Sequence, residues 1–270
     1  MKYLAYAKIN IRLNVLGKNE KNYHNLSMVN ARISLADEIE ILESEKNLVK
    51  YSVEELNHLE NDLCLNVLNE MVNRFGINKR YHIYIKKNIP MGAGLGGGSS
   101  DVACVINAID ELHNLNLSLD EKINIGLKYG ADVPYCLINQ LALVEGIGEK
   151  VIPLKETLKE RIVVVYPNIF VSTKDVFKNV KQYSKKLSKT EVEEFIKNKE
   201  YKNLLYNDLE IASFDLKAEL KTIKDALSLV GPTIMSGSGS SMLVFINTDV
   251  ELEKIKKMYP NYLVFDTYII

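Results

Sequence analysis

Hydrophobic and polar residues alternate along residues 7–16, close to the start of the 270-residue chain. A period of two is typical of a β-strand whose two faces meet different surroundings. One face carries Ile9, Ile11, Leu13 and Val15, and the other carries Lys8, Asn10, Arg12 and Asn14. Lys8 and Asn10 therefore share a face, about 7 Å apart along the strand. The pattern leaves open whether that face is solvated or lines a binding site.

The spacing of apolar residues predicts most of the other elements. Spacings of three and four residues predict helices over 61–75, from the glycine-rich stretch to about residue 113, and over 250–258. Ser118 and Glu121 form an S-x-x-E capping box that opens a further helix, which Gly130 closes. Strands are predicted over 26–42, with a turn at Asp37-Glu38, and over 81–87, 141–144, 161–166, 242–246 and 262–270.

A polar stretch over residues 153–159 separates two apolar runs and predicts a domain boundary. The first domain then spans residues 1–155 and the second spans residues 156–270. Three Lys- and Glu-rich helical segments are predicted between residues 174 and 230. The order strand, helices, strand, helix, strand in the second domain predicts an α+β fold that resembles a split βαβ unit.

Composition narrows the class of protein. Hydrophobic residues make up 47% of the chain and charged residues 26%, as in a globular protein with a real core. A net charge of −1 without a basic stripe argues against nucleic acid or a membrane as partner. No apolar run approaches the ~20 residues needed to cross a bilayer, and no signal peptide is expected at the N-terminus.

Cys64, Cys104 and Cys136 are widely spaced and include no C-x-x-C pair. They are expected to be reduced structural thiols, which indicates a cytoplasmic protein. No exposed apolar stripe stands out, so we expect a monomer or a weak homodimer.

The most informative stretch runs P-M-G-A-G-L-G-G-G-S-S-D from Pro90 to Asp101. It consists of Pro90, Met91, Gly92, Ala93, Gly94, Leu95, Gly96, Gly97, Gly98, Ser99, Ser100 and Asp101. A glycine loop between a strand and a helix directs backbone N–H groups and the positive end of the helix at an anion. Ser99 and Ser100 supply hydroxyls, either as N-caps or as phosphate and metal contacts. A glycine-rich turn before a capped helix is the alternative, but five glycines and two serines in this context favour a phosphate loop.

Two common phosphate loops do not fit. A Walker loop ends in G-K-[ST], and no lysine occurs between Lys87 and Lys122. Gly92, Gly94 and Gly97 match the spacing of a Rossmann loop, but no acidic residue follows a second strand about 20 residues later. The loop therefore belongs to another class of nucleotide-binding protein.

Three other places carry candidate chemistry, each with a structural alternative. Tyr23 and His24 lie in a polar loop, where an aromatic pair either stacks on a ligand or anchors the loop. Asp132 follows Gly130 and precedes Pro134, so it is either a turn residue or a catalytic carboxylate. The stretch Gly237, Ser238, Gly239 belongs to a second glycine–serine loop, which could equally be a flexible hairpin turn.

Three motifs together resemble the GHMP-type kinases, the superfamily of galactose, homoserine, mevalonate and phosphomevalonate kinases. They are A-K-I-N at 7–10, P-M-G-A-G-L-G-G-G-S-S-D at 90–101 and S-G-S-G-S-S at 236–241. Tyr23-His24, G-A-D-V-P at 130–134, E-G-I-G-E at 145–149 and N-D-L-E at 207–210 narrow the resemblance. They are similar to the member that phosphorylates a cytidine-diphosphate-linked methylerythritol in non-mevalonate isoprenoid biosynthesis. The resemblance covers residues 7–241.

The resemblance implies a two-domain α+β fold. The N-terminal ATP-binding domain would be ribosomal-protein-S5-domain-2-like, the C-terminal domain ferredoxin-like, and the active-site cleft would lie between them. ATP and Mg²⁺ are the implied cofactors, and the implied partner is the small-molecule substrate. The pattern assigns no protein ligand to the metal.

The resemblance also implies roles for single residues. Asp132 would be the base for the substrate 2-hydroxyl, and Lys8 would keep that carboxylate ionised and stabilise the transferring phosphoryl group. Residues 90–100 would wrap the ATP phosphates, and Gly237, Ser238 and Gly239 would close over them. The implied substrate residues are Asn10, Tyr23, His24, Thr173 and Phe177. Tyr23 and Phe177 would sandwich the cytosine ring, with Phe170 as a second candidate for Phe177. The role of Asp101, as a helix cap or near Mg²⁺, stays open.

Two alternatives compete with this hypothesis. Another kinase of the superfamily, such as one for homoserine or phosphomevalonate, needs no aromatic clamp for a pyrimidine. A nucleotide-binding sensor without turnover would keep the fold but has no need of both Lys8 and Asp132.

Overall fold

A computed structural model of the protein describes residues 1–138 and 140–270 and combines two β-sheets with helices. The strands are β1 (Lys2–Lys18), β2 (His24–Ser44), β3 (Leu48–Tyr51), β4 (Arg80–Lys86), β5 (Ala142–Gly146), β6 (Lys150–Pro153), β7 (Arg161–Tyr166), β8 (Tyr206–Asn207), β9 (Thr233–Met235), β10 (Met242–Phe245) and β11 (Leu263–Tyr268). The helices are α1 (Leu63–Arg74), α2 (Gly97–His113), α3 (Leu119–Gly126), α4 (Val133–Cys136), α5 (Thr173–Lys178), α6 (Lys189–Lys197), α7 (Tyr201–Leu204), α8 (Leu209–Leu216), α9 (Ala218–Leu227) and α10 (Asp249–Met258), with a 3₁₀ helix at Glu54–His58. The predicted α+β class is confirmed.

The chain divides into two compact units that are interleaved along the sequence. The first contains Met1–Ala7, Leu35–Ile89 and Gly96–Asn139, and the second contains Lys8–Ser34, Pro90–Leu95 and Gln140–Ile270. The division after residue 155 stays a prediction.

The first unit packs helices α1 to α4 against strands. In its sheet, β4 is antiparallel to β2, with Ile83 opposite Ile41, and parallel to β3, with Ile83 opposite Val49. The buried stripes of the two longest helices recur every three or four residues, as their sequence predicts. They consist of Val67, Leu68, Met71 and Val72 on α1 and of Val102, Val105, Ile106 and Ile109 on α2. These side chains and the inward residues of β4 form one continuous core.

The second unit contains two sheet regions. In one, β1 is parallel to β8, and β5 is antiparallel to both β2 and β6. The other is a fully antiparallel sheet of four strands in the order β11-β7-β10-β9. Strand β7 lies between β11 and β10, and it is apolar and buried throughout from Ile162 to Tyr166.

The prediction of a turn at Asp37-Glu38 is wrong, because β2 runs through both residues without a break. Asp37 is fully buried, and its carboxylate accepts hydrogen bonds from the backbone N–H groups of Asn88 (2.5 Å) and Ile89 (2.8 Å). An aspartate in a local sequence pattern indicates a turn, but here it satisfies the backbone of a distant segment. Long-range pairing of this kind leaves no local signal.

Some helix ends agree with the sequence prediction and others differ from it. Ser118 and Glu121 form the predicted capping box, and Gly76 has a left-handed conformation after α1, with φ of +61°. The following helix α3 ends at Gly126, so the prediction that Gly130 closes it is wrong. Between residues 173 and 227 the structure has the five helices α5 to α9, where three were predicted.

Candidate active site

The glycine loop adopts the backbone conformation that only glycine takes readily. Gly92, Gly94 and Gly96 have φ of +67°, +75° and +66°. At Gly94 a Cβ atom would lie 2.5 Å from the carbonyl oxygen of Ser236 and 2.9 Å from that of Gly239. Both neighbours are backbone atoms, which cannot move aside as a flexible side chain would. Glycine at 94 is therefore required by conformation and by space together.

Helix α2 begins without a side-chain cap. Its N-cap is Gly96, in the left-handed region, and Gly97 and Gly98 occupy its first two positions. The alternative that Ser99 or Ser100 is the N-cap is wrong, because both lie inside the first turn, where the Ser100 hydroxyl donates to the carbonyl oxygen of Tyr6. The first amides of a helix have no partner within the helix and carry its partial positive charge. This end of α2 has the geometry of an anion site.

Lys8 and Asn10 are connected as the strand pattern predicted, but their face is not solvated. Lys8 is 5% exposed and Asn10 is 1% exposed. The Lys8 ammonium donates a 3.0 Å hydrogen bond to Asn10 Oδ1. The backbone N–H of Lys8 donates to the carbonyl oxygen of Leu95 at 2.9 Å, which ties this part of β1 to the glycine loop. An ammonium group is thus held next to residues 90–95.

The second glycine–serine loop is a hairpin connection between β9 and β10, and it is anchored rather than flexible. Ser236 Oγ donates to the Gly94 carbonyl oxygen at 3.0 Å, and the Ser241 N–H donates to the Ala93 carbonyl oxygen at 3.3 Å. Asn207 Nδ2 donates to the carbonyl oxygens of Met235 and Gly237, each at 2.8 Å. The two glycine loops are therefore held together. Asn207 opens the N-D-L-E motif, but the sequence predicts no separate role for its side chain.

One of the predicted substrate residues, Thr173, contacts the second loop, and Phe177 lies in the same helix as Thr173. The hydroxyls of Thr173 and Ser238 share a 2.8 Å hydrogen bond. Thr173 opens helix α5, which Ser172 caps by accepting from the N–H of Asp175. This short helix carries Phe177 one turn further along.

His24 and Phe177 stack on each other, with ring centroids 5.2 Å apart and planes inclined by 28°. Tyr183, which the sequence did not indicate, lies near the same imidazole, with ring centroids 6.2 Å apart. Burial, followed by the charge of Lys18, lowers the pKa of His24 below its usual value. Its imidazole is therefore neutral at pH 7, with one nitrogen able to donate and the other able to accept.

Tyr23 and Phe170 remain exposed, at 61% and 72%. Phe170 lies over the glycine loop, with its Cδ2 atom 3.7 Å from the place where a Cβ of Gly92 would be. The ring stacked on His24 is thus that of Phe177 and not that of Phe170. The cytosine sandwich of Tyr23 and Phe177 stays a prediction.

Asp132 lies at the N-cap position of the short helix α4, with Pro134 in its first turn. Its carbonyl oxygen accepts from the N–H of Cys136 at 3.2 Å, and its half-buried side chain does not cap the helix. Within the first unit, Gly130 packs close to α2, because a Cβ there would lie 3.4 Å from Ser99 Oγ. The segment that carries Asp132 therefore runs beside the first turn of α2.

A buried charge cluster of Lys87, Asp37 and Asp101 lies under the same turn of α2. The Lys87 ammonium pairs with both carboxylates, at 2.5 Å for Asp101, and all three side chains are at most 6% exposed. Burial, and then the neighbouring charge of Asp37, outweigh the attraction of Lys87 and raise the pKa of Asp101 to about 7. The sequence offered no signal for this cluster, because its members are 14 and 50 residues apart.

The described residues, 1–138 and 140–270, include no group of three or more His, Cys, Asp or Glu side chains placed to hold a metal ion. Asp101, the acidic residue beside the phosphate loop, contacts Lys87 with one oxygen, and its other oxygen is buried. In the same part of the chain, no helix has the length and apolar character needed to cross a membrane.

Comparison with known sequences identifies similar proteins over nearly the whole chain. The family described as GHMP kinases N terminal domain matches residues 62–140. A Clostridium botulinum protein named 4-diphosphocytidyl-2-C-methyl-D-erythritol kinase is 36% identical over 270 residues, which cover 96% of this chain and 96% of that protein. A Clostridium perfringens protein of the same name is 38% identical over 257 residues, or 92% of this chain and 89% of the relative.

Solved structures agree with the sequence matches. A crystal structure of 4-(cytidine 5'-diphospho)-2C-methyl-D-erythritol kinase superposes with a TM-score of 0.84 and 27% identity, and the match covers 100% of both chains. Methanococcus jannaschii mevalonate kinase superposes with a TM-score of 0.68 over 100% of this chain and 98% of its own, at 16% identity. At that identity the second likeness concerns the fold alone.

Proposed function

This chain belongs to the family of 4-diphosphocytidyl-2-C-methyl-D-erythritol kinases, and from that premise we propose which reaction it catalyses and with which residues. It transfers the γ-phosphoryl group of ATP to the 2-hydroxyl of 4-diphosphocytidyl-2-C-methyl-D-erythritol, giving the 2-phosphate and ADP. The product is an intermediate of isopentenyl diphosphate biosynthesis by the non-mevalonate route.

The observation that carries the proposal is the position of the Lys8 ammonium beside the glycine loop. Lys8 is tied to Leu95 through its backbone and to Asn10 through its side chain. Phosphoryl transfer depends on positioning and on neutralising charge at the phosphoryl oxygens, so a fixed cation beside a phosphate loop is the central requirement. We assign to Lys8 the stabilisation of that charge.

The glycine loop and the start of α2 fit the phosphates of ATP. Three glycines with positive φ let the backbone approach a ligand closely. The first turn of α2 presents amides that no side chain caps, at the positive end of a 17-residue helix. We assign residues 90–100 to the triphosphate, and Gly237, Ser238 and Gly239 to the same ligand through the hairpin that is bonded to Ala93 and Gly94.

Mg²⁺ would be bound mainly through the phosphates of the nucleotide. Asp101 does not fit a metal ligand, because its carboxylate is buried and paired with Lys87. When bound, the metal neutralises charge on the β- and γ-phosphates.

Asp132 is assigned the role of general base for the 2-hydroxyl of the substrate. The Asp132 side chain is half-buried and makes no capping hydrogen bond to α4. It belongs to a segment next to the first turn of α2. The hydroxyl proton passes to the carboxylate as the oxygen attacks the γ-phosphorus and ADP leaves.

The aromatic cluster supports cytidine as the recognition element. The neutral His24 imidazole can donate and accept at the edge of a pyrimidine, and its position is fixed by the stack with Phe177. Tyr23 is exposed beside it and free to close on the ring. Kinases for homoserine or phosphomevalonate act on substrates without a base, and such a cluster would have no task in them.

The test is release of ADP from purified protein with ATP, Mg²⁺ and 4-diphosphocytidyl-2-C-methyl-D-erythritol, alongside the variant Asp132→Asn. We expect the substitution to lower kcat by about 10²–10⁴-fold, the usual contribution of a general base. Asparagine keeps the shape of the side chain, so the unfolding temperature serves as the control for folding.

The possible results separate the claims. Turnover that survives Asp132→Asn would remove this residue as the base and leave the kinase. ATP binding without turnover of this substrate, with turnover of homoserine or phosphomevalonate, would move the chain to another member of the superfamily. ATP binding without turnover of any of them would indicate a sensor.

A further inference from the structure

A line of three buried side chains leads from β2 in the second unit to the ammonium of Lys8. Lys8 Nζ donates to Asn10 Oδ1 at 3.0 Å, and Asn10 Nδ2 donates to Asn30 Oδ1 at 2.7 Å. Asn30, on β2, is completely buried, and Asn10 is 1% exposed. Resting on the proposed function of Lys8, we propose that Asn30 is a positioning residue that fixes the Asn10 amide and thereby the Lys8 ammonium.

The side-chain carboxamide of Asn10 has two unlike ends. The oxygen of Asn10 can accept from an ammonium group, whereas its NH₂ group, turned to the same place, would face Lys8 donor to donor. Both orientations have nearly the same shape, so packing alone selects neither. The Lys8 ammonium has donors only, so it selects the orientation in which Asn10 Oδ1 faces it and Nδ2 faces Asn30. Asn30 Oδ1 then accepts from Nδ2 and holds the Asn10 amide in that orientation.

The other neighbour of Asn10 Nδ2 cannot replace this partner. Met28 Sδ lies 3.4 Å from Nδ2, but a thioether sulfur is a weak acceptor. A buried amide oxygen at 2.7 Å is a much stronger one. Loss of Asn30 Oδ1 would leave the orientation of Asn10 weakly determined, and Lys8 would lose a fixed acceptor.

A contribution to the stability of the fold does not explain why residue 30 is an asparagine. Its own Nδ2 is buried and has no hydrogen-bond partner among the described residues, which is an unfavourable arrangement for an amide. The backbone of Asn30 is already fixed, because it pairs with Ala142 in the β2–β5 ladder. An apolar side chain would suit this position better. The role of the asparagine is therefore that of its oxygen, which accepts the hydrogen bond from Asn10.

The first variant is Asn30→Leu, which keeps the number and branching of the side-chain heavy atoms and removes the acceptor. We expect kcat to fall about tenfold, because the ammonium is displaced or mobile relative to the phosphoryl group. KM for ATP stays within about twofold, since the glycine loop is unchanged. The unfolding temperature stays within about 4 °C of the wild-type value, because a lost hydrogen bond is offset by removal of the unpaired NH₂ group.

Two further variants separate the oxygen from the packing. Asn30→Asp retains an acceptor oxygen in an isosteric side chain, and we expect it to restore most of kcat at pH 7. Met28→Leu conserves volume and removes the sulfur while leaving Asn30 Oδ1 in place, so kcat should stay at the wild-type value. A purely structural role of Asn30 predicts instead that kcat follows the unfolding temperature across all three variants.

A measurement independent of turnover completes the test. The side-chain amide protons of Asn10, followed by NMR, should exchange slowly with solvent-derived deuterium in the wild type and in Met28→Leu, and quickly in Asn30→Leu. Equal protection in Asn30→Leu, or unchanged kcat in that variant, would overturn the proposal. If the wild type shows no turnover but the Asn10 protons lose protection in Asn30→Leu, the proposed function fails and the positioning role of Asn30 stands.

Discussion

Replacement of Gly94 by alanine tests whether the contact between the two glycine loops is as tight as the structure shows. A Cβ at this position meets the carbonyl oxygens of Ser236 and Gly239 at 2.5 Å and 2.9 Å, and φ is +75°. The left-handed conformation costs a non-glycine residue about 1–2 kcal/mol. Overpacking against backbone atoms costs about 1–3 kcal/mol more. We expect Gly94→Ala to lower the free energy of unfolding by about 2–5 kcal/mol.

Gly92→Ala is the matched control, because Gly92 lies in the same loop with nearly the same φ, +67°. A Cβ there has one neighbour within 4 Å, the Phe170 ring at 3.7 Å, which is an ordinary contact. This variant should therefore lose only the backbone contribution of about 1–2 kcal/mol. The difference between the two variants isolates the steric clash from the conformational strain.

Urea unfolding followed by circular dichroism and tyrosine fluorescence gives the two free energies by linear extrapolation, with equal m values expected for both variants. Coincident transitions by the two probes establish that a single free energy describes the unfolding. Equal losses in Gly94→Ala and Gly92→Ala would refute the reasoning, because the hairpin of residues 236–241 would then yield to the added methyl group. A greater loss in Gly92→Ala would contradict the assignment of the clash altogether.

Two predictions concern charge and recognition. The pKa of Asp101 is raised from 3.8 to about 7, so the folded state binds a proton between these values that the unfolded state releases. The stability due to this proton is present at low pH and is lost as pH rises through 7. Urea titrations of the wild type should show this contribution falling by at most about 1.4 kcal/mol per pH unit, and Asp101→Asn should remove it; an identical pH profile in the variant would contradict the assignment. Phe177→Ala should raise KM for the cytidyl substrate about 2–10-fold through the loss of ring stacking, whereas Phe170→Ala should leave that KM unchanged in the same ADP-release assay. The reverse result would make Phe170 the ring that recognises the base.

The parts of the site that lie within one continuous segment could be predicted from the sequence. The glycine loop between β4 and α2, the capping box at Ser118 and the shared face of Lys8 and Asn10 all follow from local spacing. Each depends on conformational preferences of neighbouring residues, which a sequence displays directly.

The parts that join distant segments could not be predicted in this way. Asp37 resembled a turn residue, and only the fold brings its carboxylate to Lys87 and to the backbone at Asn88. Asn30 belongs to no motif, and the N-D-L-E motif that Asn207 opens does not indicate which backbone groups the Asn207 side chain contacts. Ser99 and Ser100 followed a glycine run, where serine commonly caps a helix, but glycines at 96–98 already begin α2. A local sequence pattern shows which polar side chains a segment carries. It does not show which distant residue each of them contacts.

The interleaving of the two units has a consequence for recombination between relatives. The chain passes from one unit to the other at residues 7/8, 34/35, 89/90, 95/96 and 139/140. A single crossover at any point therefore gives a chimera in which at least one unit is built from two parents. Substitutions that compensate each other inside one unit, such as those around Asp37, Lys87 and Asp101, are inherited together only when the crossover lies outside residues 37–101.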